Sequence, residues 1–230
     1  MNSSTALRPW PLPARAVRVA PADHPAGIDI RKLLGERAWR SLPEATRARF
    51  AEHAASVAYE GSFEIVRASF AGRLLANCCR LLGTPVAPFT GTNIAATVHV
   101  FTTADGGTAW QRVYQFGGRK PCVVESIKRL SREGTLVEAL PARLRMGLDV
   151  SARDGVLHFV SNAYYFELGR LRIALPDWLP PGTTHVEHID LGEGWFRFTM
   201  TVRHRWLGEV FYQTGRFHAP LVPGEKNGGN

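Results

Sequence analysis

The stretch "WQRVYQFGG", Trp110 to Gly118, decides how this chain folds. In a strand alternate side chains share a face, so Trp110, Arg112, Tyr114 and Phe116 point one way, and Gln111, Val113, Gln115 and Gly117 the other. Three aromatic rings mark the first face for a core. Arg112 stands among them, and a permanent charge on a core face requires a partner, water or a ligand.

The same period of two runs on from Asn93, punctuated by "DGG", "GGRK", "REG", "RDG", "LGEG" and "WLGE". This is the signature of an antiparallel meander. "LPDWLPPGTTH", Leu175 to His185, interrupts it with three prolines and is expected to carry the chain across an end of the sheet. Turn lengths set expected registers. A three-residue Asp105-Gly106-Gly107 loop puts Val100 opposite Arg112 and Ala96 opposite Phe116, and a four-residue "GGRK" loop puts Glu125 opposite Arg112. An Asp154-Gly155 turn puts Val150 opposite Phe159, Leu148 opposite Ser161 and Met146 opposite Ala163. A Leu207-Gly208 turn puts His204 opposite Phe211 and Val202 opposite Gln213. One face thereby collects apolar side chains with Arg112, Glu125, His204 and Gln213 among them.

Upstream, "IDIRKLLGERAWRSLPEATRARF", Ile28 to Phe50, reads as two short helices, the second opened by Pro43. "VAYEGSFEIV" reads as an extended piece. A helix is expected over 67–82, with Phe70, Leu74, Leu75, Cys78, Leu81 and Leu82 on one stripe and Gly83 and Pro85 at its end. The expected fold class is α+β, with N-terminal helices packed on a large curved antiparallel sheet, a half-barrel or cone-like meander. Residues 1–28 read as a mobile arm, 29–219 as a single domain and 220–230 as a mobile tail.

With 45% hydrophobic residues among 230 the chain has ample material for a core. Its net charge of +8 invites a nucleic-acid reading. The distribution argues against it: arginines are scattered, lysines number only four, and no basic run exceeds pieces such as "RHR" at 203–205. No apolar run is long enough for a membrane span or a signal-peptide core, so the expected location is cytoplasmic. Three cysteines, Cys78, Cys79 and Cys122, have neither disulfide nor metal-ligand spacing and read as free thiols.

Catalytic motifs are mostly missing. There is no glycine-rich phosphate loop between strand and helix and no G-x-S-x-G elbow, so no cofactor is expected. "HVEH", His185 to His188, has the look of half a metal site, but on a strand its two imidazoles point to opposite faces and zinc needs three or four convergent ligands. His204 follows Phe196, Phe198, Met200 and Val202 on one face, which suits either a hydrogen-bonded core histidine or a pocket wall. Arg112 and Glu125 are either a structural ion pair across neighbouring strands or the polar end of a pocket.

The order of "RKLLGERAWRSLPEATRARF", "GRLLANCCRLLGTPVAP", "WQRVYQFGG", "LGRLRIALPDWLPP" and "WFRFTMTVRHRWLGEVFYQTGRF" resembles the bacterial domain-of-unknown-function family numbered 4166, from about Lys32 to Phe217. Trp110, Arg112, Phe116, Gly117 and Gly118 match one of its motifs, and Pro176, Trp178, Leu179 and Pro181 another. Members resemble domains fused behind reductases similar to saccharopine dehydrogenase, which implies a separate reductase as a possible partner of this chain. Three readings follow. The first is a cavity for a small apolar or anionic ligand, with Trp110, Arg112, Tyr114, Glu125, His204 and Gln213 as candidate binding residues. The second is a cofactor-free isomerase or cyclase using Glu125 or His204 as base and Arg112 to stabilise negative charge. The third is an accessory domain of a reductase.

Overall fold

The computed structural model describes residues 28–51, 56–74, 89–140, 143–169, 171–176 and 179–218. Residues 1–27 of the expected arm, the expected tail 220–230, Cys78, Cys79, Trp178 and most of the helix expected over 67–82 lie outside the described residues. Residues 70–74 of that helix are helical, whereas Arg67 and Ala68 still belong to a strand.

Among the described residues eleven strands follow one another: β1 Val57–Ala68, β2 Gly91–Thr102, β3 Thr108–Gln115, β4 Cys122–Leu130, β5 Leu136–Ala139, β6 Leu144–Arg153, β7 Val156–Leu168, β8 Leu171–Ala174, β9 Thr183–Gly192, β10 Trp195–His204 and β11 Gly208–His218. Neighbours pair antiparallel from β1 through β7; β7 then pairs with β9, β9 with β10, β10 with β11, and β11 with β1. The expected half-open sheet is therefore a closed ten-stranded barrel. β8 stands outside it, paired only with the second half of β7. Closure removes the free edges that an open curved sheet would expose.

Ten strands enclose more width than aliphatic side chains fill, and aromatic rings occupy the difference. Phe63 stacks on Tyr114 at 4.8 Å and meets Phe217 edge-on at 5.1 Å. These rings lie over glycines: Phe63 faces Gly215 and Phe217 faces Gly61 across the β1–β11 seam. A Cβ on Gly61 would strike the Arg216 carbonyl, and one on Gly215 would lie 2.8 Å from the Phe63 Cα. The two apolar clusters of the interior, one centred on Phe63 and Tyr114 and the other on Leu157 and Phe159, both touch Trp110 and Val186.

Three short helices among the described residues precede the barrel: α1 Ile30–Leu34, α2 Glu36–Arg40 and α3 Glu44–Phe50. The Asp29 carboxylate accepts the Lys32 N–H at 3.1 Å and starts α1. Gly35, at φ +77°, ends α1 and begins α2, splitting what the sequence suggested as one helix. Pro43 precedes α3, with Glu44 in its first turn and Arg47 and Arg49 in its last, as the helix dipole favours. α1 and α2 pack on β6 and α3 on β9. Phe50, the last residue of α3, enters the mouth of the barrel, where its ring lies 5.8 Å from Trp110 and 5.9 Å from Phe159.

The expected registers meet three fates. Trp110 faces Val100 and Arg112 faces Val98, a shift of two because the "DGG" turn spans Thr103 to Gly107. A shift of two changes partners and keeps faces. At Leu207-Gly208 the same happens for Val202, which faces Phe211, and for Met200, which faces Gln213, while a bulge between Val202 and Arg203 carries His204 one residue further, opposite Gly208. Val150 and Leu148 do face Phe159 and Ser161, but a bulge at Gly147 then sets Met146 opposite Tyr164 rather than Ala163. The "GGRK" hairpin is out by one, and a shift of one reverses faces. Arg112 is opposite Val124, while Glu125 pairs with Gln111 on the outside.

Candidate functional site

Arg112 is buried inside the barrel, and its charge partner comes from one strand further on than the sequence suggested. Along β4, Val124, Ser126 and Lys128 share the inner face; along β5, Leu136 and Glu138 do. An Arg112 Nη donates to Ser126 Oγ at 3.1 Å. Glu138 is buried, and its Oε2 lies 3.2 Å from Lys128 Nζ. Burial pushes the Glu138 carboxyl up, but the Lys128 and Arg112 charges and hydrogen bonds from Ser126 and Lys128 outweigh it and hold the group below its ordinary value. Two cations thus share one carboxylate, leaving an excess of positive charge in an apolar interior.

His188 faces this group from β9. Only 3% exposed, it is ringed by Phe50 at 4.8 Å, Phe198 at 5.4 Å and Trp110 at 5.6 Å. Burial drives its imidazole well below the ordinary histidine value, and Arg49, Lys128 and Arg112 push the same way, so it is neutral. Arg49, from α3, lays its guanidinium 3.8 Å over the Phe196 ring. Among the described residues, eight buried polar side-chain atoms have no hydrogen-bond partner, and four of them are here: Arg49 Nη1, Arg112 Nε, His188 Nδ1 and Asp190 Oδ1. Unsatisfied polar atoms are costly, and this clustering fits an interior that has room for a hydrogen-bonding guest.

A cavity of about 60 Å³ lies at the helix-capped mouth, lined by Arg49, Phe50, Tyr59, Phe101, Trp110, Lys128 and Phe159 together with Thr102, Thr108 and aliphatic neighbours. Lys128 reaches it with a charge whose ammonium is 5.4 Å from the Trp110 ring and 5.7 Å from that of Phe159. The arrangement offers a cation and aromatic walls to a small molecule bearing one anionic or carbonyl oxygen. A second hollow, about 360 Å³, opens at the opposite end around Phe89, Asn93, Gln115 and Arg119, next in sequence to residues 75–88 outside the described set.

The residues singled out from the sequence separate. Trp110 lines the cavity and Arg112 lies deeper, with no lining atom of its own. Tyr114, 1% exposed, donates its hydroxyl to Gln213 Oε1 at 3.0 Å, a tie across the barrel from β3 to β11; burial raises its phenol above the ordinary value. Glu125 is exposed and accepts from Gln111 Nε2 at 3.0 Å, so it is no partner of Arg112. His204 is buried at the far end of β10, where its Nδ1 faces the backbone N–H groups of Trp206 and Leu207 at 3.3 Å. Neither of the two proposed bases, Glu125 and His204, is among the residues that line the mouth cavity. Sequence reading missed Arg49, Lys128, Glu138 and His188. Glu138 carried a signal, alternating with Leu136 and Leu140 in "LVEAL", and His188 was half of "HVEH".

No helix among the described residues is long and apolar enough to cross a membrane. No curated protein and no solved structure matches the chain. One family model does, over residues 42–217, a span that takes in α3 and every strand, ending one residue short of the end of β11. The chain with a buried arginine in "WQRVYQFGG" belongs to the family described as Domain of unknown function (DUF4166).

Proposed function

We propose that the helix-capped mouth of the barrel binds a small ligand with an apolar body and one anionic or carbonyl group. The observation that carries this is the excess positive charge of Lys128 and Arg112 over Glu138, placed behind an aromatic vestibule. Ligand sites are mostly apolar with a few convergent polar groups, and this mouth has that composition. A cavity of about 60 Å³ holds no more than a few waters, so a larger guest enters by displacing the Phe50 plug. Lys128 then meets the charged end of the ligand, with Arg112 reinforcing the field from below and Trp110 and Phe159 flanking the body.

The test compares straight-chain carboxylates with alcohols of equal length, using tryptophan fluorescence titration and native mass spectrometry. Carboxylates are expected to saturate one site per chain and to bind more tightly than the alcohols. Lys128→Met should erase that preference while alcohol binding persists. Equal binding of the two series, or no saturable binding of either, overturns the reading.

A further inference from the structure

Among the described residues, one group of histidine, cysteine and acidic side chains converges to metal-ligand spacing, and it lies away from the barrel interior. Strand alternation sends His188 inward and leaves His185 and Glu187 together on the outer face of β9. The third member comes from β7, where His158 stands directly opposite Glu187 in the ladder and diagonally from His185. His158 Nδ1 is 3.0 Å from His185 Nε2 and 3.6 Å from Glu187 Oε1, and His185 Nε2 is 4.0 Å from the same oxygen.

A triangle with those three sides has a point about 2.1 Å from every corner, which is the length of a zinc–imidazole or zinc–carboxylate bond. No large rearrangement is needed to bring the three donors around one ion. We propose that His158, His185 and Glu187 form a binding site for a divalent first-row transition cation of the zinc class, with water completing its coordination. Two imidazoles and one carboxylate suit zinc, cobalt or nickel better than the all-oxygen demands of calcium or magnesium. The side chains are partly exposed, which gives the ion an entry path and an open position.

The cation alone is the probe. Cobalt(II) is added to the purified chain, with visible absorption reporting ligand type and calorimetry with zinc reporting stoichiometry. The expected result is one equivalent per chain, bound with a nitrogen and oxygen spectrum that lacks a thiolate charge-transfer band. Outer-sphere changes at metal sites already cost about ten- to a hundredfold in affinity, so His185→Ala and Glu187→Gln should each weaken binding by at least about that much. His99→Ala, which removes an outward histidine on β2 that is not part of the group, should leave affinity unchanged. Glu187→Gln keeps the proposal testable if His185→Ala fails to fold, since it preserves size and ladder position. No binding, a thiolate spectrum, or equal affinity in wild type and both ligand variants refutes the site.

Discussion

Replacing Glu138 by glutamine preserves the shape of the side chain and deletes the carboxylate that Lys128 and Arg112 share. The Lys128 Nζ to Glu138 Oε2 separation is 3.2 Å, with both side chains largely removed from solvent. Coulomb's law at an effective dielectric of about 20 assigns the pair about 5 kcal/mol. Removing one partner from a buried ion pair costs about 3–5 kcal/mol, because the other charge is left without compensation. For a chain of this size that corresponds to a fall in melting temperature of about 6–20 °C. Urea unfolding at neutral pH, followed by tryptophan fluorescence and circular dichroism, reads the change. Lys128→Met in the Glu138→Gln background should restore at least half of the loss, since it removes the stranded ammonium while Arg112 retains Ser126. A single variant within about 1 kcal/mol of wild type, or a double variant that sums the two single losses, would refute the assignment of this cluster as a coupled charge network.

Two further outcomes are expected. His188 is held neutral with a depressed value, so the unfolded chain binds its proton first and stability falls as pH drops below about 6.5, by up to about 1.4 kcal/mol per pH unit; His158 shifts in the same direction, so the readout is the difference in slope between wild type and His188→Phe in unfolding titrations from pH 7 to 5. Gly215→Ala should cost about 1–3 kcal/mol in urea unfolding, because its new Cβ would meet the β1 backbone at Ser62 and Phe63; a neutral result would mean that the β1–β11 seam spreads freely.

The inward face of β3 was legible from "WQRVYQFGG" because a period of two fixes side-chain direction without reference to any partner. Which atoms Arg112 meets was not legible. That depended on the "GGRK" hairpin, where Tyr114 pairs with Cys122 rather than Val123, so that Ser126 turns inward and Glu125 outward. The "DGG" and Leu207-Gly208 turns were misjudged by two residues and still left every face intact. Closure was hidden for a different reason: the β1–β11 and β7–β9 pairings join segments far apart in sequence, and no local pattern encodes them. β5 is only four residues long, too short for its alternation to single out Glu138 as an inward group. His158 and His185 meet by the same non-local pairing, which is why "HVEH" showed half of a metal set and not its third member.

The β1–β11 seam also sets a timetable. β1 is made early in the barrel and its second neighbour last, so during synthesis Phe63 and Val66 wait beside an unpaired edge while about 150 residues are added. At ordinary elongation rates of about 5–20 residues per second that wait is about 8–30 s. Loop-closure entropy grows only slowly with such a span, yet non-local pairing of this kind slows folding and exposes strand edges to other chains. The nascent barrel is thus most vulnerable to aggregation just before β11 leaves the ribosome, and a chaperone that shields sheet edges has its window there.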